Sequence, residues 1–207
     1  MSGVGLVGSS STGKTTLALA VSEVTKVPFI QSQVRAAHAI CGISPEIKAT
    51  HSQKMKAQNL ILNMAESDYK SVGGGLFITD RTPIDFMTHV LAEVTASNLT
   101  DEETDEVMKY CQRCYDMTNL YFASVILTQP AIAVIAEAGR TTNPAYIQHI
   151  NLILTGLVAD SNGKLLCAKH FINKNNVNLQ KRIKTVVGIA TLVEANNMNQ
   201  KKISTAH

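Results

Sequence analysis

A chain of 207 residues, 45% hydrophobic and 17% charged, has room for one substantial domain with a packed core and little room for two. No apolar run approaches the ~20 residues of a membrane-spanning helix, and residues 3–7 lead straight into a Gly/Ser-rich stretch without the basic segment and cleavage site of a secretory signal, so a cytoplasmic location and no membrane partner are expected. The net charge of +3 hides an asymmetry: residues 1–160 carry 11 basic and 15 acidic side chains and residues 161–207 carry 8 and 1, so the C-terminal segment suits either solvent or nucleic acid.

Val4–Val7 is a short apolar run that reads as a buried strand ending at the Gly-rich loop. Lys14 to about Lys26 reads as a helix whose buried side carries Leu17, Ala18, Val21 and Val24. Pro28–Ile30 predicts a second strand, followed by a helix around Val34–Cys41. Residues 52–70 predict a helix with Met55, Leu60, Leu62 and Met64 apolar among polar neighbours, and Gly73-Gly74-Gly75 break it. Leu76–Asp80 then reads as a buried strand that ends in an acid. Asp101-Glu102-Glu103 opens another helix, because acids offset the positive end of its dipole. Ser124–Leu127 is the fourth strand, stopped by Pro130, and Pro144 opens a helix through Val158. A fifth strand within Leu165–Ile172 and a last helix over Leu179–Glu194 complete the chain. Strands alternating with helices predict an α/β fold: a parallel five-stranded sheet with helices on both faces.

Cys111 and Cys114 form one C-x-x-C with no second pair and no nearby histidine ligand. On a helix this spacing places two small apolar side chains on one face, and that is the expectation here.

Gly8-Ser9-Ser10-Ser11-Thr12-Gly13-Lys14-Thr15 matches G-x-x-x-x-G-K-[ST], a specific signal where it joins a strand to a helix. Glycines let the backbone curl so that successive N–H groups face phosphate oxygens, and the helix that follows adds its positive end. Lys14 is placed to reach the β- and γ-phosphates of a nucleoside triphosphate, the Thr15 hydroxyl to ligate Mg²⁺, and Thr16 to touch the α-phosphate. ATP and Mg²⁺ are therefore the expected cofactors. Asn173-Lys174-Asn175-Asn176 ends in Asn where the guanine-reading N-K-x-D motif has Asp, so GTP is not favoured. Asp80, at the end of a hydrophobic strand, is the expected second Mg²⁺ residue and a candidate proton acceptor.

Together, Gly8–Thr16 and Asp80-Arg81-Thr82-Pro83-Ile84-Asp85 resemble the small P-loop kinases of the nicotinamide riboside kinase-like and thymidylate kinase-like type, many of them carried by bacteriophages. The resemblance implies the three-layer P-loop NTPase fold, a single kinase domain over residues 1–207 and a lid segment near 130–145. It also implies site roles. Asp80 would be the Mg²⁺-associated or base-like acid, Arg35, Arg81 and Asp85 would hold the acceptor, and Arg140 in Glu137-Ala138-Gly139-Arg140 would close on the transferring phosphoryl group as a catalytic residue. His170, Lys174 and Asn175 would border the adenine. Several hydroxyl kinases carry an acid where this chain has Ser32, which moves the expected base to Asp80.

The leading expectation is phosphoryl transfer from ATP to a small nucleoside-like or nucleotide acceptor. A DNA acceptor, a hydroxymethylated base such as 5-hydroxymethyluracil, stays open because of the basic C-terminal segment. A nucleotide-switched ATPase without an acceptor stays open as well. Arg113 and Lys109 are expected on an exposed helix, and His38, His51, His89 and His149 as structural or surface residues.

Overall fold

Five parallel strands lie in the order β2-β3-β1-β4-β5: β1 (Gly3–Val7), β2 (Phe29–Ile30), β3 (Phe77–Thr79), β4 (Phe122–Thr128) and β5 (Ala168–Ile172). They come from a computed structural model that describes residues 2–43, 49–94, 99–130, 142–160 and 163–204. Seven helices are described: α1 (Lys14–Thr25), α2 (Val34–Ile40), α3 (His51–Ser71), α4 (Pro83–Glu93), α5 (Asp101–Tyr121), α6 (Pro144–Ala159) and α7 (Leu179–Ser204). The fold is the expected α/β one.

Both faces of the sheet are covered, which explains why β1 and β4 are near-continuous apolar runs rather than alternating ones. On one face, Leu17 and Val21 of α1 and Val186 and Val193 of α7 pack against Val4, Leu6, Ile78 and Ile126. On the other, α3 to α6 contribute Leu62, Met87, Cys114 and Leu154 over Val7, Phe122 and Val125. Cys111 and Cys114 are free, buried thiols within this second core, as their helical spacing predicts. Gly5 lets β1 approach the start of α4, since a Cβ there would overlap the Thr82 side chain.

Helix starts follow side-chain chemistry. Reciprocal capping boxes open α3 (Thr50 with Gln53) and α5 (Thr100 with Glu103), and the Asn143 carboxamide accepts from the first N–H groups of α6 ahead of Pro144. Gly73 and Gly74 adopt positive φ after α3, which ends it as the triplet predicts.

Two local expectations need correction. Val24, expected on the buried side of α1, is 64% exposed, whereas Leu17, Ala18 and Val21 are buried. Helix α4 has no counterpart in the sequence reading. Most of its residues from Pro83 to Val90 are buried, so it lacks the polar face that would reveal a helical period.

Candidate active site

Because every strand is parallel, the loops that follow β1, β3, β4 and β5 gather at one edge of the sheet, where such folds bind ligands. The loop after β1 is the phosphate loop. Gly13 takes φ 79° at the entry to α1, a left-handed value that glycine adopts at no steric cost. Gly8 has Thr128 against it: a Cβ would sit 2.5 Å from that carbonyl oxygen.

The Lys14 ammonium donates to the carbonyl oxygens of Gly8 (2.6 Å) and Ser9 (2.9 Å), so the side chain is folded along its own loop. Ser9 and Ser11 each have a buried hydroxyl with no hydrogen-bond partner among the described residues. Orphaned donors beside a lysine and a helix N-terminus fit phosphate oxygens as the missing partners.

Asp80 stands at the end of β3, 6% exposed, and its two oxygens divide the work. One accepts from the Thr15 hydroxyl at 2.6 Å, the other from the Ser32 N–H at 3.2 Å. A hydroxyl and a carboxylate in contact fit a hard cation that takes its other ligands from phosphate and water, as Mg²⁺ does. The expected pair, Thr15 and Asp80, is thus brought together across 65 residues of sequence.

The Asp85 carboxylate faces the backbone of the phosphate loop and of the α4 N-terminus. Asp85 is 1% exposed, and its carboxylate accepts from the Gly8 N–H (3.2 Å) and the Thr82 N–H (3.1 Å). Burial pushes its pKa up, against the opposing pull of Lys14, Arg81 and those two N–H groups. The expectation that Asp85 holds the acceptor is corrected accordingly: it ties the phosphate loop to α4.

A second brace went unread in the sequence. Arg182 of α7 is 1% exposed, and its guanidinium donates to the carbonyl oxygens of Thr12 (2.9 Å) and Asn176 (2.6 Å). One member of the basic C-terminal segment is therefore an internal strut.

A cleft of about 710 Å³ runs from Ser10–Thr16 past Asp80 to an inner end lined by Gln58, Phe86, His89 and Tyr146. That volume lies within the ordinary range of ligand sites. Arg35 and Arg81 both line it. His38 and His89 line it too, although the sequence reading left them as structural or surface residues; isolated histidines carry no spacing signal. Burial lowers the pKa of His38, with the Glu93 carboxylate opposing. The inner end is rigid in part: the Tyr110 hydroxyl donates to the Gln58 amide oxygen at 3.0 Å. Arg140 and the segment Glu137–Arg140 lie outside the described residues.

A phosphate loop between the first strand and first helix of a parallel sheet, with an acid ending the neighbouring strand, defines a P-loop protein with the architecture of the small P-loop kinases. The chain belongs to the AAA-domain family, whose sequence profile matches residues 4–167. No curated protein matches it. Among solved structures it is similar to deoxyadenosine kinase from M. mycoides with bound dATP, at TM-score 0.66 and 12% identity over 92% of this chain and 100% of that one. It is also similar to the NadR protein in complex with NR, at TM-score 0.59 and 16% identity over 90% of this chain and 49% of that one, so it spans about half of NadR. A third is the YorR protein from Bacillus subtilis in complex with phosphorylated GDP, at TM-score 0.50 and 15% identity over 94% of this chain and 98% of that one. At such identities the likeness is one of fold.

Proposed function

We propose that this protein transfers the γ-phosphoryl group of ATP, bound with Mg²⁺, to a nucleoside or nucleotide acceptor. The observation that carries the reading is a cleft lined both by the phosphate loop and Asp80 and by side chains beyond them, Gln58, Phe86, His89 and Tyr146 among them, with room for more than the phosphates. A nucleotide-switched ATPase needs the loop but not this additional space. The names of the fold relatives, a deoxyadenosine kinase among them, support the same chemistry.

In this reading Lys14 and the loop N–H groups neutralise the phosphates, and Thr15 and Asp80 hold Mg²⁺, which supplies charge neutralisation on the transferring group. Asp80 also orients the acceptor hydroxyl. As that oxygen bonds to the γ-phosphorus, the bond to the β-phosphate oxygen breaks, ADP leaves and the hydroxyl proton passes to the Asp80 carboxylate. Arg35 and Arg81 hold the acceptor, and Arg140 closes on the phosphoryl group from the lid near 130–145. Positioning supplies most of the acceleration in such reactions. Four free thiols suit a reducing, cytoplasmic setting.

The test is transfer of label from γ-labelled ATP to nucleosides, nucleoside monophosphates, or duplex DNA with and without 5-hydroxymethyluracil, with an Asp80→Asn variant alongside. Label on a free nucleoside or nucleotide, lost in the variant, supports the proposal. Label only on modified DNA would make the basic C-terminal segment a DNA contact. Release only as free phosphate would leave an ATPase.

A further inference from the structure

The donor and acceptor roles of three side chains at the inner end of the cleft follow from their chemistry. Arg81 Nη1 lies 3.2 Å from His89 Nε2, and His89 Nδ1 lies 3.3 Å from the Tyr146 hydroxyl. A guanidinium has donors only, so His89 Nε2 accepts and carries no hydrogen. Burial, then the positive charge of Arg81 and Lys14 and the ring of His38, lower the His89 pKa to about 3, which keeps the ring neutral. A neutral imidazole without a hydrogen on Nε2 has one on Nδ1, so His89 donates to the Tyr146 oxygen.

Tyr146 keeps its own proton. Burial and the nearby Glu93 carboxylate raise its pKa, with Arg81 opposing. Its oxygen already accepts from His89, and among the described residues its O–H has no acceptor of its own. Tyr146 lines the cleft together with Gln58 and Phe86, so a lone pair of a bound molecule is the natural partner.

We infer that Arg81, His89 and Tyr146 form a one-way hydrogen-bond relay that presents the Tyr146 hydroxyl as a donor to the acceptor substrate. Tyr146 is then an acceptor-binding residue, and His89 is its positioning residue. The relay selects acceptors that offer a lone pair at this point, such as a sugar or carbonyl oxygen or an unprotonated ring nitrogen, and disfavours an amino group there. The substrate part of this inference rests on the kinase reading.

The test combines kinetics with spectroscopy. Phosphoryl transfer from ATP is measured with the four 2′-deoxynucleosides and their 5′-monophosphates, for the wild type, Tyr146→Phe, His89→Leu, His89→Gln and the Tyr146→Phe/His89→Leu double variant. For the acceptor that the wild type uses best, Tyr146→Phe and His89→Leu should each raise KM about tenfold, with KM for ATP unchanged. Glutamine, which keeps one acceptor and one donor, should restore most of the loss. The double variant should be no worse than the worse single one, because both act through one chain of bonds. Losses that multiply, or a matching rise in KM for ATP, would overturn the relay.

Separately, ¹⁵N spectra of histidine-labelled protein should show His89 as the neutral Nδ1–H tautomer throughout the range from about pH 8 to pH 5. An Nε2–H tautomer, or protonation near pH 6.5, would overturn the relay whatever the kinetics show. If the wild type phosphorylates none of the eight acceptors and releases label only as free phosphate with every other acceptor of the transfer assay, the kinase reading and the substrate contact both fail. The spectra would still decide whether the relay exists, so the two failures stay separate.

Discussion

The Arg182 guanidinium lies 2.9 Å from the Thr12 carbonyl oxygen, a contact between residues 170 apart in the chain. The phosphate loop is therefore held from the C-terminal helix as well as by its own flanking strand and helix. Arg182→Met removes both bonds and leaves the Thr12 and Asn176 carbonyls without this donor. We expect affinity for ATP with Mg²⁺ to fall about tenfold, about 1.4 kcal/mol, with acceptor KM unchanged once ATP is saturating. Calorimetric titration of ATP into the variant checks this; unchanged affinity would reduce Arg182 to a packing residue.

The contact between Thr15 and Asp80 predicts a metal-dependent effect. In the wild type, Mg²⁺ should tighten ATP binding relative to EDTA. In Thr15→Val and Asp80→Asn that difference should shrink to near zero, while binding of ATP in EDTA stays close to wild type. Nucleotide-induced shifts in Tm, with and without Mg²⁺, measure it directly.

Asp85 predicts a loss of stability rather than of specificity. Asp85→Ala strands the buried N–H groups of Gly8 and Thr82, each worth about 1–3 kcal/mol when left unpaired, so a total loss of about 2–6 kcal/mol is expected in urea denaturation. ATP affinity should fall with it, because Gly8 opens the phosphate loop. A variant of normal stability with a raised acceptor KM would return Asp85 to the acceptor.

His89 predicts an acid sensitivity of known sign. Its folded pKa of about 3 lies below the 6.5 of an exposed histidine, so between these values the unfolded chain binds more protons. Stability that His89 contributes is complete above about pH 6.5 and is lost as pH falls toward 3. The groups that face it, Arg81, Lys14 and His38, all oppose its protonation. His89→Gln should therefore lose stability less steeply than wild type between pH 6.5 and 4 in denaturant titrations; parallel curves would show that His89 titrates normally.

Much of this arrangement can be read along the chain, and the parts that cannot share a cause. The phosphate loop, the strand ending at Asp80 and the parallel sheet depend on contiguous patterns: a Gly-rich motif, an apolar run, a Pro or Gly that stops it. Arg35 and Arg81 line the cleft, and both come soon after a strand on the edge where the loops gather. Asp85 was misread because its sequence neighbours point to the site while its carboxylate turns inward to Gly8. Arg182, His89 and Tyr146 have no local pattern at all. Their roles arise only when α7, α4 and α6 pack beside the loop, and α4 itself is hidden by burial on nearly all sides.

The strut from α7 has a consequence for the order of events during synthesis. Strand β1 and the phosphate loop leave the ribosome long before α7, and Arg182 emerges only after all five strands have been made. Until then the loop lacks one of its two anchors, and the face of the sheet that α7 covers stays bare. Nucleotide binding should thus come late in the life of the nascent chain, and ATP in the surrounding medium would favour the docking of α7 by capturing the loop once Arg182 has set it.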